Sequence, residues 1–459
     1  IMAYTTINNG KIYFNTKLFT GNGGTNVVTG VGFNSDFTWI KNRNTTGNHA
    51  LFDKINGVEK YFNANANYAL ATSAPTLKAW SSDGFTIGSS TDLNGNGNGI
   101  ATWNWLAAGA NPSNTYVVKV VSDTGNKYRF DDFGTSAVTL EISEGGTFTF
   151  DQADSSNNGH PLRFSTTSNG THGGGSEYTT GVTTNGTPGQ AGAYTRITVA
   201  ASAPTLYYYC SSHSGMGGQA NTPVTNSFSN FSGSIQTNIS PNTTSGFSLV
   251  SWNGSGSAAT IGHGLGSQPQ IVFVKNASDD ASWSVYTVDG GGGKGLFLNE
   301  SNGYDSDSSY FNNGTASTTT FPVGTANISN GSSDSMMAYC FANVKGFSKI
   351  GSYTGNGNVD GPFIFTGFKP AFVIIKQTNS ARNWILMDNK RSTFNIVTKY
   401  LKGNTSSAEE TYNYVDFLSN GFKCRDNDTG ANASGGSYLY LAFAENPFTS
   451  STGTPVTAR

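Results

Sequence analysis

A divergent internal repeat constrains the fold of this chain more than any other sequence feature. Each copy contains a long apolar run that ends in lysine: GFNSDFTWIK (32–41) in copy one, GSQPQIVFVK (266–275) in copy two and GFKPAFVIIK (367–376) in copy three. In each copy a shorter apolar run follows, and a strand with aromatic residues two positions apart closes the copy. A recurrent pattern of this kind predicts one structural unit that is built three times.

The composition predicts that this unit is made of strands. Charged residues make up 12% of the chain, about half of the ~25% that is usual in globular proteins. The 58 glycines, together with many Asn and Ser residues, favour turns, whereas Thr, Tyr, Phe and Val favour strands. We therefore predict an all-β fold in which short strands alternate with turns. The continuous apolar runs are expected to be central strands, buried on both faces.

The pattern divides the chain into several β-sandwich or jelly-roll domains in series. Segment 114–222 has a different texture, with alternating strands and no repeat landmarks. The predicted boundaries are 1–110 for the first repeat, 114–222 for the interposed domain, 246–344 for the divergent second repeat and 345–459 for the third.

One group of residues in the interposed segment carries recognisable chemistry. Cys210, His213 and Met216 follow an aromatic run within a single short loop, and His160 lies fifty residues upstream in GHPLRF (159–164). One thiolate, two imidazoles and a thioether are the donors of a blue-copper site, in which two histidines and a cysteine form a plane and a methionine is a weak axial ligand. Soft sulfur and imidazole donors favour copper or zinc.

The same segment resembles the cupredoxin family. The run ISEGGTFTF (142–150) followed by His160 is similar to the strand that leads to that family's first histidine, and CSSHSGM (210–216) is similar to its C-terminal ligand loop. The resemblance implies a cupredoxin-like Greek-key β-sandwich with His160, Cys210 and His213 as equatorial ligands and Met216 as the axial ligand. Copper is the implied cofactor. A module that keeps these side chains only for packing, or a static stabilising metal, is the alternative.

Other candidates have simpler interpretations. DLNGNG (92–97) imitates the start of a calcium-binding EF-hand loop, but Trp103 occupies the position that needs a bidentate Glu, so calcium is not expected. His172 is interpreted as a bystander in a glycine-rich loop, and His49 and His263 as packing or surface residues. Most of the tryptophans are expected in the core, with a minority available to stack on sugar rings.

Several classes of function have no support in the sequence. The formal net charge is −2 and no cluster of Lys or Arg indicates nucleic-acid binding. No apolar run reaches the ~20 residues that span a membrane, so no membrane insertion is expected. The three cysteines are far apart and odd in number, which argues against a disulfide framework. No catalytic motif is present, so we do not predict an enzyme.

The repeats themselves resemble virion structural proteins of marine tailed phages, including cyanophages. The resemblance rests on MAYTT (2–6), FTWIKNR (37–43) and the WNW strand (103–105) in copy one, on copy three from YTGNG (353–357) to AFAENP (442–447), and on inserted modules like YYCSSHSGMGG (208–218). It implies a tail fibre, capsid appendage or surface decoration, and it transfers no catalytic residue.

The function that follows is assembly and adhesion to host or environmental surfaces. The expected partners are other virion proteins, further copies of the chain in a homo-oligomer, and a host surface glycan or receptor. Residues 1–7 lack the charged and apolar regions of a secretory signal, which predicts assembly in the host cytoplasm and location in the virion. An extracellular blue-copper electron-transfer protein and a glycan-binding module are the alternatives.

Overall fold

The structure is a computed structural model that describes Thr5 and residues 7–109 and 111–445. These residues form a nearly all-β protein with several sheets, which confirms the predicted fold class. Some of the sequence landmarks named above lie outside the described residues: Met2–Tyr4, Thr6, Asn446 and Pro447. Ala110 and the end of the predicted third domain, residues 446–459, lie outside them as well.

The described residues form two compact units. The larger unit contains the residues up to Ala107, Pro241–Ala259 and those from Leu265 on, and the smaller unit contains Ala108–Ser240 and Thr260–Gly264. The larger unit therefore includes all three repeats except Thr260–Gly264 of repeat two. The smaller unit extends the interposed domain predicted at 114–222 in both directions.

The strands and helices are short throughout. Repeat one contains β1 (Phe14–Thr20), β2 (Asn26–Thr29), β3 (Phe37–Asn42), β4 (Ala50–Asp53), β5 (Lys60–Asn63), β6 (Ala71–Thr72), β7 (Leu77–Ser81), β8 (Gly84–Ile87), α1 (Thr91–Asn94) and β9 (Gly99–Trp105). The interposed segment contains β10 (Ser113–Ser122), β11 (Asn126–Phe130), β12 (Leu140–Glu141), β13 (Thr147–Asp151), β14 (Leu162–Ser165), β15 (Val182–Asn185), β16 (Tyr194–Thr198), β17 (Leu206–Cys210), β18 (Gly218–Asn221) and β19 (Phe228–Asn230), and β20 (Thr237–Asn242) follows it.

Repeats two and three have the same plan. Repeat two contains β21 (Phe247–Asn253), β22 (Ala259–Gly262), β23 (Pro269–Asn276), β24 (Ser284–Thr287), β25 (Leu296–Phe297), α2 (Ser308–Phe311), β26 (Thr320–Val323), α3 (Asn327–Asn330) and β27 (Ser335–Ala342). Repeat three contains β28 (Ser348–Thr354), β29 (Phe363–Phe365), β30 (Pro370–Gln377), β31 (Ile385–Asp388), β32 (Val397–Lys402), β33 (Glu410–Leu418), β34 (Gly421–Cys424) and β35 (Ser437–Ala444). Single 3-10 turns lie at Gly10–Ile12, Ser155–Asn157 and Gly170–Gly173.

Each repeat is built on one main sheet. The strand orders are β1-β9-β3-β4-β5-β6 in repeat one, β21-β27-β23-β24-β25 in repeat two and β28-β35-β30-β31-β32-β33-β34-β29 in repeat three. The lysine-ending apolar runs form the central strands β3, β23 and β30, each antiparallel to the closing strand of its repeat. All six residues of β3 are buried, which confirms the prediction of a central strand covered on both faces.

The three main sheets pack against one another around a single hydrophobic core. Trp105, Phe341 and Phe443 occupy the same position in the closing strands, and their rings contact one another in all three pairs, at centroid distances of 5.7, 5.9 and 6.0 Å. Each of these side chains is at most 3% exposed. We call this group the aromatic triangle. The core that surrounds it contains residues of all three repeats.

This shared core differs from the predicted series of domains at 1–110, 246–344 and 345–459. Each main sheet turns alternate side chains toward the common core and toward a local layer of its own. In repeat one the local layer holds Ile40, Phe52 and Phe85. The sequence pattern shows that both faces of the central strand are apolar, but it does not show that one face is shared by three sheets.

Polar contacts also connect the three repeats in a cycle. Repeat one donates to repeat three, repeat three to repeat two and repeat two to repeat one. The ammonium groups of Lys41, Lys275 and Lys376, at the ends of the central strands, are buried and donate hydrogen bonds to backbone carbonyls. In each case one accepting carbonyl belongs to another repeat: Ser406 for Lys41, Asn67 for Lys275 and Ser301 for Lys376. Burial lowers the pKa of Lys41 and Lys275 to about 8 and that of Lys376 to about 7.

Two buried carboxylates connect the repeats in the same way. The Trp103 indole donates to Asp388 at 3.2 Å, and the Tyr339 hydroxyl donates to Asp53 at 2.8 Å. At the third junction the corresponding residue of the closing strand is Leu441, which cannot donate. The three repeats therefore share the pairing of their central and closing strands, although the side chains at equivalent positions differ.

The smaller unit is a two-layer sandwich. Its sheets have the orders β11-β10-β13-β16-β15 and β12-β18-β17-β14. Phe150 of the first sheet packs against Phe164 of the second at 5.4 Å, and Phe130 packs against Tyr208 at 5.2 Å. Parallel pairing of β10 with β13, and of β12 with β18, requires long crossovers of the kind found in Greek-key sandwiches.

In the described part of the chain, no helix has the length and apolar character that crossing a membrane requires.

The shared core predicts that the repeats unfold together. Phe443→Ala removes one corner of the aromatic triangle and should lower the free energy of unfolding by about 3–5 kcal/mol. Chemical denaturation followed by tryptophan fluorescence should show one transition that shifts as a whole, because Trp39 and Trp283 of the other repeats belong to the same core. Phe394→Ala is the control, since that ring is 83% exposed. Separate transitions, with only repeat three affected, would contradict a shared core.

The buried position of His49 predicts that the folded protein becomes less stable in acid. The Trp39 indole donates to its Nδ1 at 2.9 Å, and burial, followed by the charge of Lys41, holds the pKa of His49 well below its ordinary value. Below about pH 6.5 the unfolded chain takes up a proton that the folded chain does not, so stability falls as pH decreases, by up to about 1.4 kcal/mol per pH unit.

The His49→Gln variant keeps an acceptor for Trp39 and should lose this part of the slope. The measurement is the free energy of unfolding of both proteins from about pH 7.5 to about pH 5. This range includes the unperturbed histidine pKa of about 6.5. Identical slopes in the two proteins would show that His49 does not titrate on unfolding.

Candidate metal centre

Two neighbouring strands of the smaller unit bring the predicted ligands together. β14 and β17 are antiparallel, and Leu162 pairs with Cys210, the last residue of β17. His160 lies just before β14, so it reaches the same end of the sheet as Cys210. His213 lies in the turn that connects β17 to β18.

The donor atoms converge on one point. The Cys210 Sγ atom lies 3.8 Å from His160 Nδ1 and 3.7 Å from His213 Nδ1, and the two imidazole rings are 4.6 Å apart. In the described part of the chain, these three residues are the one group of His, Cys or acidic side chains whose ligand atoms all lie within 4.8 Å of one another.

These distances fit a metal ion. A metal–sulfur bond of about 2.3 Å and a metal–nitrogen bond of about 2.0 Å that meet at about 120° place their donor atoms about 3.7 Å apart. The residues present therefore suit copper or zinc without rearrangement of the Cys–His pairs. Cys210 is fully buried, His160 is half-buried and His213 is exposed, so the site lies at the surface with its sulfur covered.

Met216 occupies the end of the ligand loop. Its side chain is 1% exposed, and its backbone carbonyl accepts a hydrogen bond from the Tyr128 amide at 3.0 Å. The turn closes tightly here because Gly217 allows close backbone approach: a Cβ atom at that position would lie 1.7 Å from the Tyr208 carbonyl oxygen. The axial role of the Met216 sulfur stays a prediction.

A layer of hydrogen bonds holds the ligands from behind. The Tyr128 hydroxyl and the Gln152 amide both donate to the His160 carbonyl at 2.9 Å, and the Gln152 Oε1 atom accepts from the Leu162 amide. The His172 Nε2 atom lies 3.0 Å from the Cys210 carbonyl oxygen. These contacts fix the backbone on both sides of the site, as the outer shells of metal sites do.

Electrostatics favour the neutral form of the His160 imidazole. Burial, followed by the charge of His213, lowers the pKa of His160, which keeps its imidazole neutral at physiological pH. A neutral imidazole is the form that binds a metal. The pKa of Tyr128 is raised, first by burial and then by the neighbouring Cys210.

The supporting residues were not identified from sequence. Tyr128 and Gln152 belong to no motif, and His172 was interpreted as a bystander, although it contacts the backbone of a candidate ligand. Their positions depend on how β11, β13 and the Gly170–Gly173 turn fold over the site. An aromatic residue in β11 and an amide just after β13 carry no signal of their own.

The remaining sequence candidates have structural environments. In the EF-hand-like segment, the Asn94 side chain is buried and donates to the carbonyls of Gly24 and Gly88. His49 is buried in the larger unit, as the packing interpretation predicts. His263 is buried as well. Six of the seven tryptophans are buried, which confirms their core role: Trp39, Trp103, Trp105, Trp252, Trp283 and Trp384.

Comparison with known proteins identifies a family. The chain matches the family described as Domain of unknown function (DUF7483) over residues 9–127 and 219–447, most of its length, and it therefore belongs to that family. No curated protein and no solved structure matches it.

The family match leaves out residues 128–218. This gap contains all four predicted ligands, His160, Cys210, His213 and Met216. The candidate metal centre is thus carried by a part of the smaller unit that the family match does not include, whereas the match covers the three repeats and the flanking parts of the smaller unit.

The site predicts one metal ion per chain. Titration of the purified protein with Cu(II) should saturate at one equivalent and produce an intense visible absorption band from the Cys210 thiolate. Cys210→Ser should abolish the band. Cys424→Ser is the matched control, since Cys424 is also a buried free thiol but belongs to the larger unit.

Retention of the band in the Cys210→Ser protein would contradict the assignment. A colourless wild-type protein that binds one equivalent of Zn(II) through the same thiol would replace copper with a structural zinc ion.

Proposed function

We propose that this protein is a non-enzymatic structural protein of a tailed-phage virion, placed in a tail fibre, capsid appendage or surface decoration. It acts in particle assembly and in adhesion to host or environmental surfaces. It functions with other virion proteins and as a homo-oligomer.

The observation that supports this proposal is the shared core of the larger unit. Three sheets meet at the aromatic triangle, and the buried lysines of the central strands donate to backbone carbonyls. Ionisable groups used in this way cross-connect the repeats and are not free for acid–base chemistry. Such an arrangement suits a rigid scaffold that carries load and presents its surface.

The sequence landmarks support the same proposal. The copy-one and copy-three runs resemble virion proteins of marine tailed phages, and the DUF7483 match covers the same repeats. A polar surface of low charge suits weak contacts with a surface, and repetition on a particle turns weak contacts into strong attachment.

The second candidate function is copper binding with electron transfer by the smaller unit. The trigonal arrangement of Cys210, His160 and His213 favours it. Bound copper would supply one-electron redox chemistry, and the chain's own contribution would be to hold the thiolate and two neutral imidazoles in fixed positions. A metal that only stabilises the sandwich uses the same residues.

The virion proposal predicts that the chain is part of purified particles. A density map of whole particles should contain the triangular three-sheet unit in an external position, at symmetry-related sites that define its oligomeric state. Proteolytic fragments of the chain should be identified by mass spectrometry in the same particles. Detection of the chain only in the soluble fraction of a lysate, separate from particles, would refute the virion role.

A further inference from the structure

A pocket at the surface of repeat one is separate from the candidate metal centre and from the shared core. It encloses about 380 Å³, within the range of about 300–1,000 Å³ that small-molecule sites occupy. Most of its lining residues are polar, and one is aromatic: Asn48, Ala50, Tyr61, Asn63, Ser73, Pro75, Thr76, Ser89, Ser90, Thr91, Asp92 and Leu93.

The rim of this cavity is held in place by backbone hydrogen bonds. The Ser73 backbone amide donates to the Glu59 carbonyl at 2.8 Å, and the Ser90 backbone amide donates to the Pro75 carbonyl at 2.9 Å. Gly88 permits the second contact, because a Cβ atom there would lie 2.6 Å from the Pro75 carbonyl oxygen. The cavity is therefore preorganised, which reduces the entropy cost of binding a ligand.

Several polar groups of the lining have unused hydrogen-bonding capacity. The Asp92 carboxylate, the Tyr61 hydroxyl and the Asn63 Oδ1 atom accept no hydrogen bond from any residue that the structure describes, whereas the Asn63 Nδ2 atom donates to the His49 carbonyl. The carboxylate lies close enough to Tyr61 that it contributes, after burial, to a raised pKa of the phenol. These groups suit a ligand with several hydroxyl donors.

The charge of the cavity selects the class of ligand. Asp92 is the one acidic residue among the described lining residues, and no lysine or arginine is among them, so the lining does not favour an anionic ligand. A single carboxylate supplies too few oxygen ligands for calcium, which takes six to eight. A neutral sugar ring combines hydroxyls for Asp92 and the amides with a C–H face for the half-buried Tyr61 ring.

We infer that this cavity binds a neutral pyranose residue of a surface glycan. The inference rests on the adhesive function proposed above and gives that function a location. Repeat one alone carries the carboxylate: relative to the equivalent buried residues Asn94, Asn330 and Asn432, the position of Asp92 is occupied by Ile328 in repeat two and by Gly430 in repeat three.

The test uses the full chain and the methyl glycosides of glucose, galactose, mannose and N-acetylglucosamine as probes. Saturation-transfer NMR identifies which glycoside binds, and calorimetry measures its affinity. At least one should bind with a dissociation constant of about 1 mM or below. Asp92→Asn should weaken that binding at least about tenfold.

Asp289→Asn is the matched control, because Asp289 is another exposed aspartate of the larger unit and should leave the affinity unchanged. Tyr61→Phe, which keeps the ring, should retain binding better than Tyr61→Leu. Equal unfolding midpoints for all variants show that any loss arises at the site.

Three results would overturn the inference: no glycoside binds, binding is unaffected by Asp92→Asn, or only CaCl2 produces a signal that Asp92→Asn removes. These results are separable from the virion test. A chain found in particles that binds no glycoside refutes the cavity assignment alone, and a chain absent from particles that binds one refutes the virion role alone.

Discussion

The aromatic triangle of Trp105, Phe341 and Phe443 is the contact on which the larger unit depends. Each ring comes from the closing strand of a different repeat, and each closing strand lies beside the lysine-ending central strand. Because the rings contact one another in all three pairs, the position of any main sheet is fixed by the other two. No single repeat can bury this face of its sheet by itself, since the partner surface belongs to its neighbours.

The same geometry explains why three lysines, Lys41, Lys275 and Lys376, can be buried, although burial of a charged group is unfavourable. A buried ammonium loses hydration, and burial lowers the pKa of Lys376 to about 7. The lost hydration is offset because each ammonium donates hydrogen bonds to carbonyls near it in its own repeat and to one carbonyl of another repeat. Removing one repeat would take away one of the carbonyls that accept a hydrogen bond from the lysine of its neighbour, so the polar contacts and the apolar core depend on the same assembly of three sheets.

The residues of the candidate metal centre lie in one segment of the chain and in one of its two units. Its ligands lie in residues 128–218, which the DUF7483 match omits, and they converge within the smaller unit. The ligand backbone is held by Tyr128, Gln152 and His172, all from the same unit. The family match includes the repeats and the parts of the smaller unit that flank residues 128–218, but not the segment that carries the four candidate ligands.

The sequence by itself determined the strands, the repeats and the four candidate ligands, because these depend on local patterns. The alternation of apolar residues gives strands, the lysine-ending runs mark the copies, and the spacing of Cys210, His213 and Met216 allows one turn to present them together. Tertiary structure decided the rest. Whether three apolar faces form three cores or one depends on packing between sheets, and nothing in Trp105, Phe341 or Phe443 alone indicates that they meet. The residues behind the ligands and the cavity around Asp92 arise likewise from loops that are distant in sequence, so their chemistry becomes visible only when the fold brings them together.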